Sequence, residues 1–134
     1  MAPIVLVLLA AGTLMIMAHR QTNANERHEK EALDQMARFV ESYEDDVQDE
    51  ARISYPSQAQ TRAIAQRYYG TLVSYELSDR SLSTRVKFFA TYENTSFFGT
   101  SISRAYRCYS IRFQEGVESK PRRTTLPLQQ CNPT

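Results

Sequence analysis

A helical pattern of apolar residues marks the first half of the chain. Apolar side chains recur at spacings of three and four from residue 33 to residue 51, which places them on one helix face. Acidic side chains fill the opposite face, so we predict an amphipathic acidic helix. It should end near Ile53, because Tyr55 precedes Pro56 and a residue before proline disfavours helix. The apolar face consists of Leu33, Met36, Val40, Tyr43, Val47 and Ala51.

A capping box predicts a second, shorter helix. The hydroxyl of Ser57 can accept a hydrogen bond from the backbone N–H of Gln60, and the Gln60 side chain can reach back to Ser57. We therefore expect a helix over residues 58–69. Gly70 is the residue that we expect to stop it.

From residue 71 the apolar period changes from helical to two, which is typical of strands. Residues 71–77 alternate, with Tyr75 and Leu77 on one face, and a turn at 78–81 leads to the clearest alternation of the chain, over residues 82–92. These two segments predict a β-hairpin. Residues 94–99 read as a loop with two phenylalanines at its tip.

Two further strands are predicted in the C-terminal part. In the third, Ala105, Arg107, Tyr109, Ile111 and Phe113 share one face, and Tyr106, Cys108, Ser110 and Arg112 share the other. Residues 117–125 predict a fourth strand. Pro121 places it at the edge of the sheet, because proline cannot donate to a ladder.

Helices followed by a run of strands predict an α+β fold. We expect an N-terminal transmembrane helix, then two helices packed on one face of a three- or four-stranded antiparallel sheet. In outline this is similar to the cystatin-like or NTF2-like shape, a curved sheet wrapped on helices, and a likeness of outline implies no activity. The predicted organisation is a membrane segment at 1–19, a juxtamembrane stretch with the acidic helix at 20–55, and the short helix with the sheet at 56–134. The last two form one domain.

The N-terminal segment is uncharged from Ala2 to Ala18. Seventeen helical residues extend about 26 Å, the short end of what crosses a bilayer. We expect an uncleaved anchor through residues 2–18 rather than a secretory signal peptide. A signal peptide would carry a basic start, and Ile16 is a poor residue three positions before a cut at Ala18.

The two cysteines and the flanking charges disagree about which side of the membrane holds the domain. Arg20, Arg27 and Lys30 follow the apolar run, which favours a cytoplasmic domain. Cys108 and Cys131 favour the other side, since a disulfide between them would tie the proline-flanked tail to the sheet and requires an oxidising compartment. We give the cysteines more weight and predict an extracytoplasmic domain with a Cys108–Cys131 disulfide.

Charge is distributed unevenly along the chain. Residues 1–55 carry five basic and ten acidic side chains, whereas residues 56–134 carry eleven basic and five acidic ones. The two parts can attract each other within one molecule or between two copies. The basic strands also hold aromatic residues, but the RNA-recognition pattern is missing, so we predict no nucleic-acid partner.

Candidate chemistry is sparse. His19 and His28 lie nine residues apart, which does not suit a helical metal pair, and the chain has only four isolated glycines, so no phosphate-cradling loop. We predict no enzyme, metal or cofactor. The expected function is a non-enzymatic protein-interaction or accessory subunit, with a homodimer through the face of Leu33, Met36, Val40, Tyr43 and Val47 as one route. The alternative is a small-molecule pocket between helices and sheet, lined by Tyr68, Tyr75, Phe88 and Tyr92.

Overall fold

The computed structural model confirms the α+β class, with two helices packed on a four-stranded antiparallel sheet. It describes the backbone of residues 2–96, 98–116 and 121–131, and the side chains of these ranges from residue 24 onward. The strands follow one another in the order β1-β2-β3-β4. The elements are α1 (Ala2–Glu50), α2 (Gln58–Arg67), β1 (Gly70–Leu77), β2 (Ser81–Ser96), β3 (Gly99–Gln114) and β4 (Arg122–Leu128).

Helix α1 carries the predicted apolar face. Met36, Tyr43 and Val47 are fully buried and Val40 is 5% exposed, so these side chains pack against the sheet of their own chain. Over the residues whose side chains are described, no helix has an apolar stretch long enough to span a bilayer. The predicted anchor at 2–18 lies outside those residues.

The sheet supplies the other half of the core from alternate positions of β2 and β3. Leu82, Val86, Phe88, Ile111 and Phe113 are all fully buried. The ring of Phe88 meets that of Tyr43 edge-on, with centroids 5.8 Å apart. Burial of aromatic side chains of this size contributes strongly to a small core.

The capping box of α2 forms as predicted. Gln60 N donates to Ser57 Oγ over 3.2 Å, and Ser57 N donates to Gln60 Oε1 over 2.9 Å. The end of α2 differs from the prediction: the helix ends at Arg67, and the left-handed residue that follows is Tyr69, with φ 61°. Gly70 is required for another reason, because a Cβ there would lie 2.9 Å from both Phe88 and Val86.

The β2–β3 hairpin is longer than predicted, and the predicted loop at 94–99 is wrong in its bounds. The two strands pair without a break from Ser81↔Gln114 to Ser96↔Gly99, so only residues 97 and 98 connect them. Polar residues within 94–99 suggested a loop, but the continuous ladder with the partner strand extends both arms well beyond the core.

Two strand predictions need correction. A register shift between Leu72 and Ser74 interrupts the predicted alternation of β1, and Leu77 at the end of the strand is 53% exposed. Strand β4 spans Arg122–Leu128, so it continues past the predicted end at residue 125, with Pro121 before it and Pro127 within it. Residues 117–120 of the predicted strand lie outside the described residues. The edge position was predicted correctly, and an edge strand tolerates proline.

Candidate functional site

The outer edge of β2 is covered over only part of its length, and this leaves a candidate binding site. Strand β1 begins at Gly70, which pairs with Phe88, and one further bond runs from Phe89 N to Tyr69 O over 3.4 Å. Beyond Phe89, no strand among the described residues pairs with this side of β2. The distal half of the strand therefore has one neighbour, β3, and one open edge.

Hydrogen-bonding groups of odd-numbered residues point to this open edge. Phe89 N points away from β3, and the direction alternates along a strand, so the backbone groups of Thr91, Glu93 and Thr95 face the same way. An unpaired strand edge can pair with another chain, and proteins usually cover or interrupt such edges. How this edge is covered defines the site.

Helix α1 covers the far end of the edge with two polar side chains. The Asn25 amide donates through Nδ2 to Thr95 O over 3.0 Å and accepts through Oδ1 from Thr95 N over 2.9 Å. It thus replaces a neighbouring strand residue. His28 Nδ1 lies 3.1 Å from Glu93 O, and because a carbonyl can only accept, Nδ1 carries the proton.

A gap remains between the end of β1 and these caps. Within the described residues, the N–H and C=O of Thr91 and the N–H of Glu93 have no protein partner. A groove of about 660 Å³ opens onto this gap, between α1 and the edge of β2. Its walls are His28, Glu31, Ala32, Gln35 and Arg38 from α1, Thr91, Tyr92 and Glu93 from β2, and Ile102 from β3.

An aromatic cluster borders the gap at the β1 end. The ring of Tyr69 lies 5.2 Å from that of Phe39 on α1 and 5.9 Å from that of Phe89 on β2, measured between centroids. A left-handed backbone costs a non-glycine residue about 1–3 kcal/mol. The two ring contacts help to offset that cost and fix the point where β1 begins.

The four residues of the predicted pocket are placed in different surroundings. Phe88 is fully buried in the core, and Tyr92 lines the groove. Tyr68 donates to Asp46 Oδ2 over 2.6 Å, and Tyr75 donates to Pro56 O over 2.6 Å. The hydrogen bond to Asp46 raises the pKa of Tyr68, and burial raises the pKa of Tyr75. Only Tyr92 belongs to the groove.

The cysteines meet on the sheet. Cys108 of β3 and Cys131 of the tail are paired, with Cα atoms 5.4 Å apart, so the predicted disulfide pairing agrees with the structure. The bond joins the end of β4 to the middle of its neighbour, since Cys108 pairs in register with Leu128. It lies away from the groove and serves to hold the tail.

Opposite charges of the two halves meet within one molecule. Arg123 of β4 places Nε 3.0 Å from Glu44 Oε2 and Nη1 2.5 Å from Asp45 Oδ1 on α1. Thr125 donates to the second Glu44 oxygen over 2.6 Å, and Gln48 Nε2 donates to Pro121 O. Partial burial tends to lower the pKa of Arg123, but the bond to Asp45 and the nearby carboxylates outweigh it and raise that pKa. This cluster attaches β4 to α1.

Neither a metal cluster nor a known relative identifies the site. Among the side chains that the structure describes, no three of the types His, Cys, Asp or Glu converge as metal ligands. Known family models, curated proteins and solved structures give no match to the chain. The groove must therefore be interpreted from its own geometry.

No sequence pattern indicated the groove as a site. It depends on where β1 stops and where α1 crosses the sheet, and both are set by tertiary packing. One signal was present: Asn25 and His28 are three residues apart, so they lie on one side of a helix. Their partners on β2 could not be identified without the fold.

Proposed function

We propose that this chain is a membrane-tethered, extracytoplasmic, non-enzymatic domain that binds an extended segment of a partner protein. The observation that carries the proposal is the gap in the β2 edge, open at Thr91 and Glu93 and bounded by Tyr69 on one side and His28 on the other. A peptide strand placed there would continue the line of β1. Backbone hydrogen bonds would give affinity, and alternate side chains would meet the groove wall.

The groove wall sets the chemistry of such a peptide. Glu31, Arg38 and Glu93 supply charges of both signs, while Tyr92 and Ile102 supply apolar surface. The gap accommodates about three to five strand residues at about 3.3 Å each. We expect short extended segments with alternating polar and apolar side chains to bind.

The alternative, a small-molecule domain with an apolar pocket between helices and sheet, is less well supported. The space between α1 and the sheet is filled by Met36, Tyr43, Val47 and Phe88, all fully buried. The groove is large enough for a small ligand, since such sites occupy about 300–1,000 Å³. Its charged wall, however, is unlike the apolar pocket that the sequence predicts.

Two variants at one position test strand addition. Extended heptapeptides selected from a display library would be titrated against the full chain in nanodiscs. Thr91→Pro removes the edge N–H without touching the β3 ladder, and we expect binding to weaken about tenfold or more. Thr91→Val keeps the N–H and should bind normally. Peptides should also slow hydrogen exchange at Thr91 and Glu93; equal binding by both variants would refute the proposal.

The tether and the compartment are tested separately. An impermeant maleimide would be applied to intact cells with and without mild reduction. Labelling of Cys108 and Cys131 that appears only after reduction supports an extracytoplasmic disulfide. Labelling that requires lysis and no reductant would place the domain in the cytoplasm and leave strand addition to be judged on the peptide data.

A further inference from the structure

The tip of the β2–β3 hairpin carries apolar side chains that the protein itself does not cover. Phe98 at the tip is 102% exposed, and Ile102, on the following strand, is 76% exposed. Burying an exposed phenylalanine contributes about 1.5–3 kcal/mol, so this tip is a candidate contact surface.

The tip points toward the N-terminal end of α1. Three contacts fix the direction: Asn25 bonds to Thr95, His28 lies against Glu93, and Tyr43 Oη donates to Thr84 Oγ1 over 3.1 Å. Residue numbers on α1 rise as those on β2 fall, so helix and strand run antiparallel. The α1 backbone continues to Ala2, beyond the last of these contacts.

The level of the tip along α1 follows from the geometry of helix and strand. Ser96 lies one strand residue beyond Thr95 and pairs with Gly99, so the chain reverses there and the tip extends about 3–6 Å past Thr95. The same distance along a helix corresponds to about two to four residues, counted back from Asn25. The tip therefore reaches the level of residues 21–23, about 5–8 Å from the end of the uncharged segment. The uncharged segment ends at Ala18.

We propose that the hairpin tip is a second membrane contact, in which Phe98 enters the interface of the bilayer that residues 2–18 span. This inference rests on the tether in the proposed function. An exposed apolar side chain such as that of Phe98 is stabilised when it is buried at the boundary between headgroups and acyl chains. A single helix would let the domain rotate about the anchor axis. A second contact fixes the direction in which the groove opens.

The absence of tryptophan makes a direct test practicable. Phe98→Trp introduces one fluorophore at the tip. Leu77→Trp is the matched control, because Leu77 is exposed at the opposite end of the sheet, about 45 Å away along β2. Both full-length variants would be reconstituted in phosphatidylcholine–phosphatidylglycerol vesicles containing brominated lipids, and vesicle association would be verified by flotation.

We expect the tryptophan at position 98 to be quenched by the brominated lipids and its emission to shift to the blue, while the tryptophan at 77 remains unquenched. Equal, low quenching of both variants in chains that float with the vesicles would overturn the tip contact and leave the tether intact. Chains that fail to float would overturn the tether, and with it the tip contact. The two failures are therefore distinguishable.

Discussion

Removal of the Arg123 side chain should unfold the domain at much lower denaturant. Arg123 Nε lies 3.0 Å from Glu44 Oε2, with side chains 29% and 9% exposed. In Arg123→Ala, Thr125 would be the remaining partner of the Glu44 carboxylate. Breaking a buried pair costs about 3–5 kcal/mol, and we expect the lower end of that range because Arg123 is partly exposed.

A surface ion pair provides the matched control. Arg52 lies 3.6 Å from Asp49, and the two side chains are 54% and 63% exposed. Arg52→Ala should change the free energy of unfolding by less than about 1 kcal/mol. Urea titration followed by circular dichroism measures both variants. With a slope of about 1–3 kcal/mol per M, Arg123→Ala should lower the midpoint by about 1–3 M.

A double variant separates charge from packing. Adding Glu44→Gln to Arg123→Ala removes the charge left without its partner, and we expect part of the lost stability to return. No recovery would mean that the aliphatic stem of Arg123 provides the stabilisation. Equal, small losses in Arg123→Ala and Arg52→Ala would refute the reasoning, because Glu44 would then be adequately solvated without its partner.

Three other perturbations have defined outcomes. Cys131→Ser should lower the free energy of unfolding by about 3 kcal/mol in urea titrations, since the disulfide closes a loop between residues separated by 23 positions, and mild reduction of the native chain should match it. Gly70→Ala should cost about 1–3 kcal/mol by the same assay, because its Cβ would lie 2.9 Å from two core side chains, whereas Gly116→Ala meets nothing closer than 3.7 Å and should be neutral. Burial raises the pKa of Tyr43, so the unfolded state deprotonates first and the free energy of unfolding should fall above about pH 10. Tyr43→Phe should make this fall shallower in alkaline unfolding. An unchanged dependence of the free energy of unfolding on pH would contradict the prediction.

Local sequence patterns predicted those helices and strands in which the pattern itself specifies the secondary structure and the buried face. The apolar face of α1, the capping box of α2 and the alternation in β2 each reflect local geometry, and all three are present in the structure. The polar distal arms of β2 and β3 could not be predicted, because a backbone ladder and the Asn25 amide hold them rather than a core. Hydrogen bonds of this kind leave no apolar period in a sequence.

The groove was beyond sequence analysis for a related reason. It exists because β1 starts at Gly70 while β2 continues to Ser96, and because α1 crosses the sheet beside the difference. The sequence indicated each segment alone. Tyr69 shows the limit well: its left-handed backbone and its two ring contacts lie where α2 has ended and β1 begins, whereas Gly70 was the residue expected to stop the helix.

The amide of Asn25 also blocks a strand edge with which other chains could pair. An exposed, unpaired strand edge is a template for other chains, and natural proteins block such edges. Here the block is supplied by a helix far away in sequence, since Asn25 and Thr95 are 70 residues apart. Proteolysis between residues 28 and 31 would remove both polar caps and leave the core of the fold in place. A fragment cut there would extend the open edge from Thr91 to Thr95 and should associate edge to edge, so preparations intended to stay monomeric should keep residues 24–31.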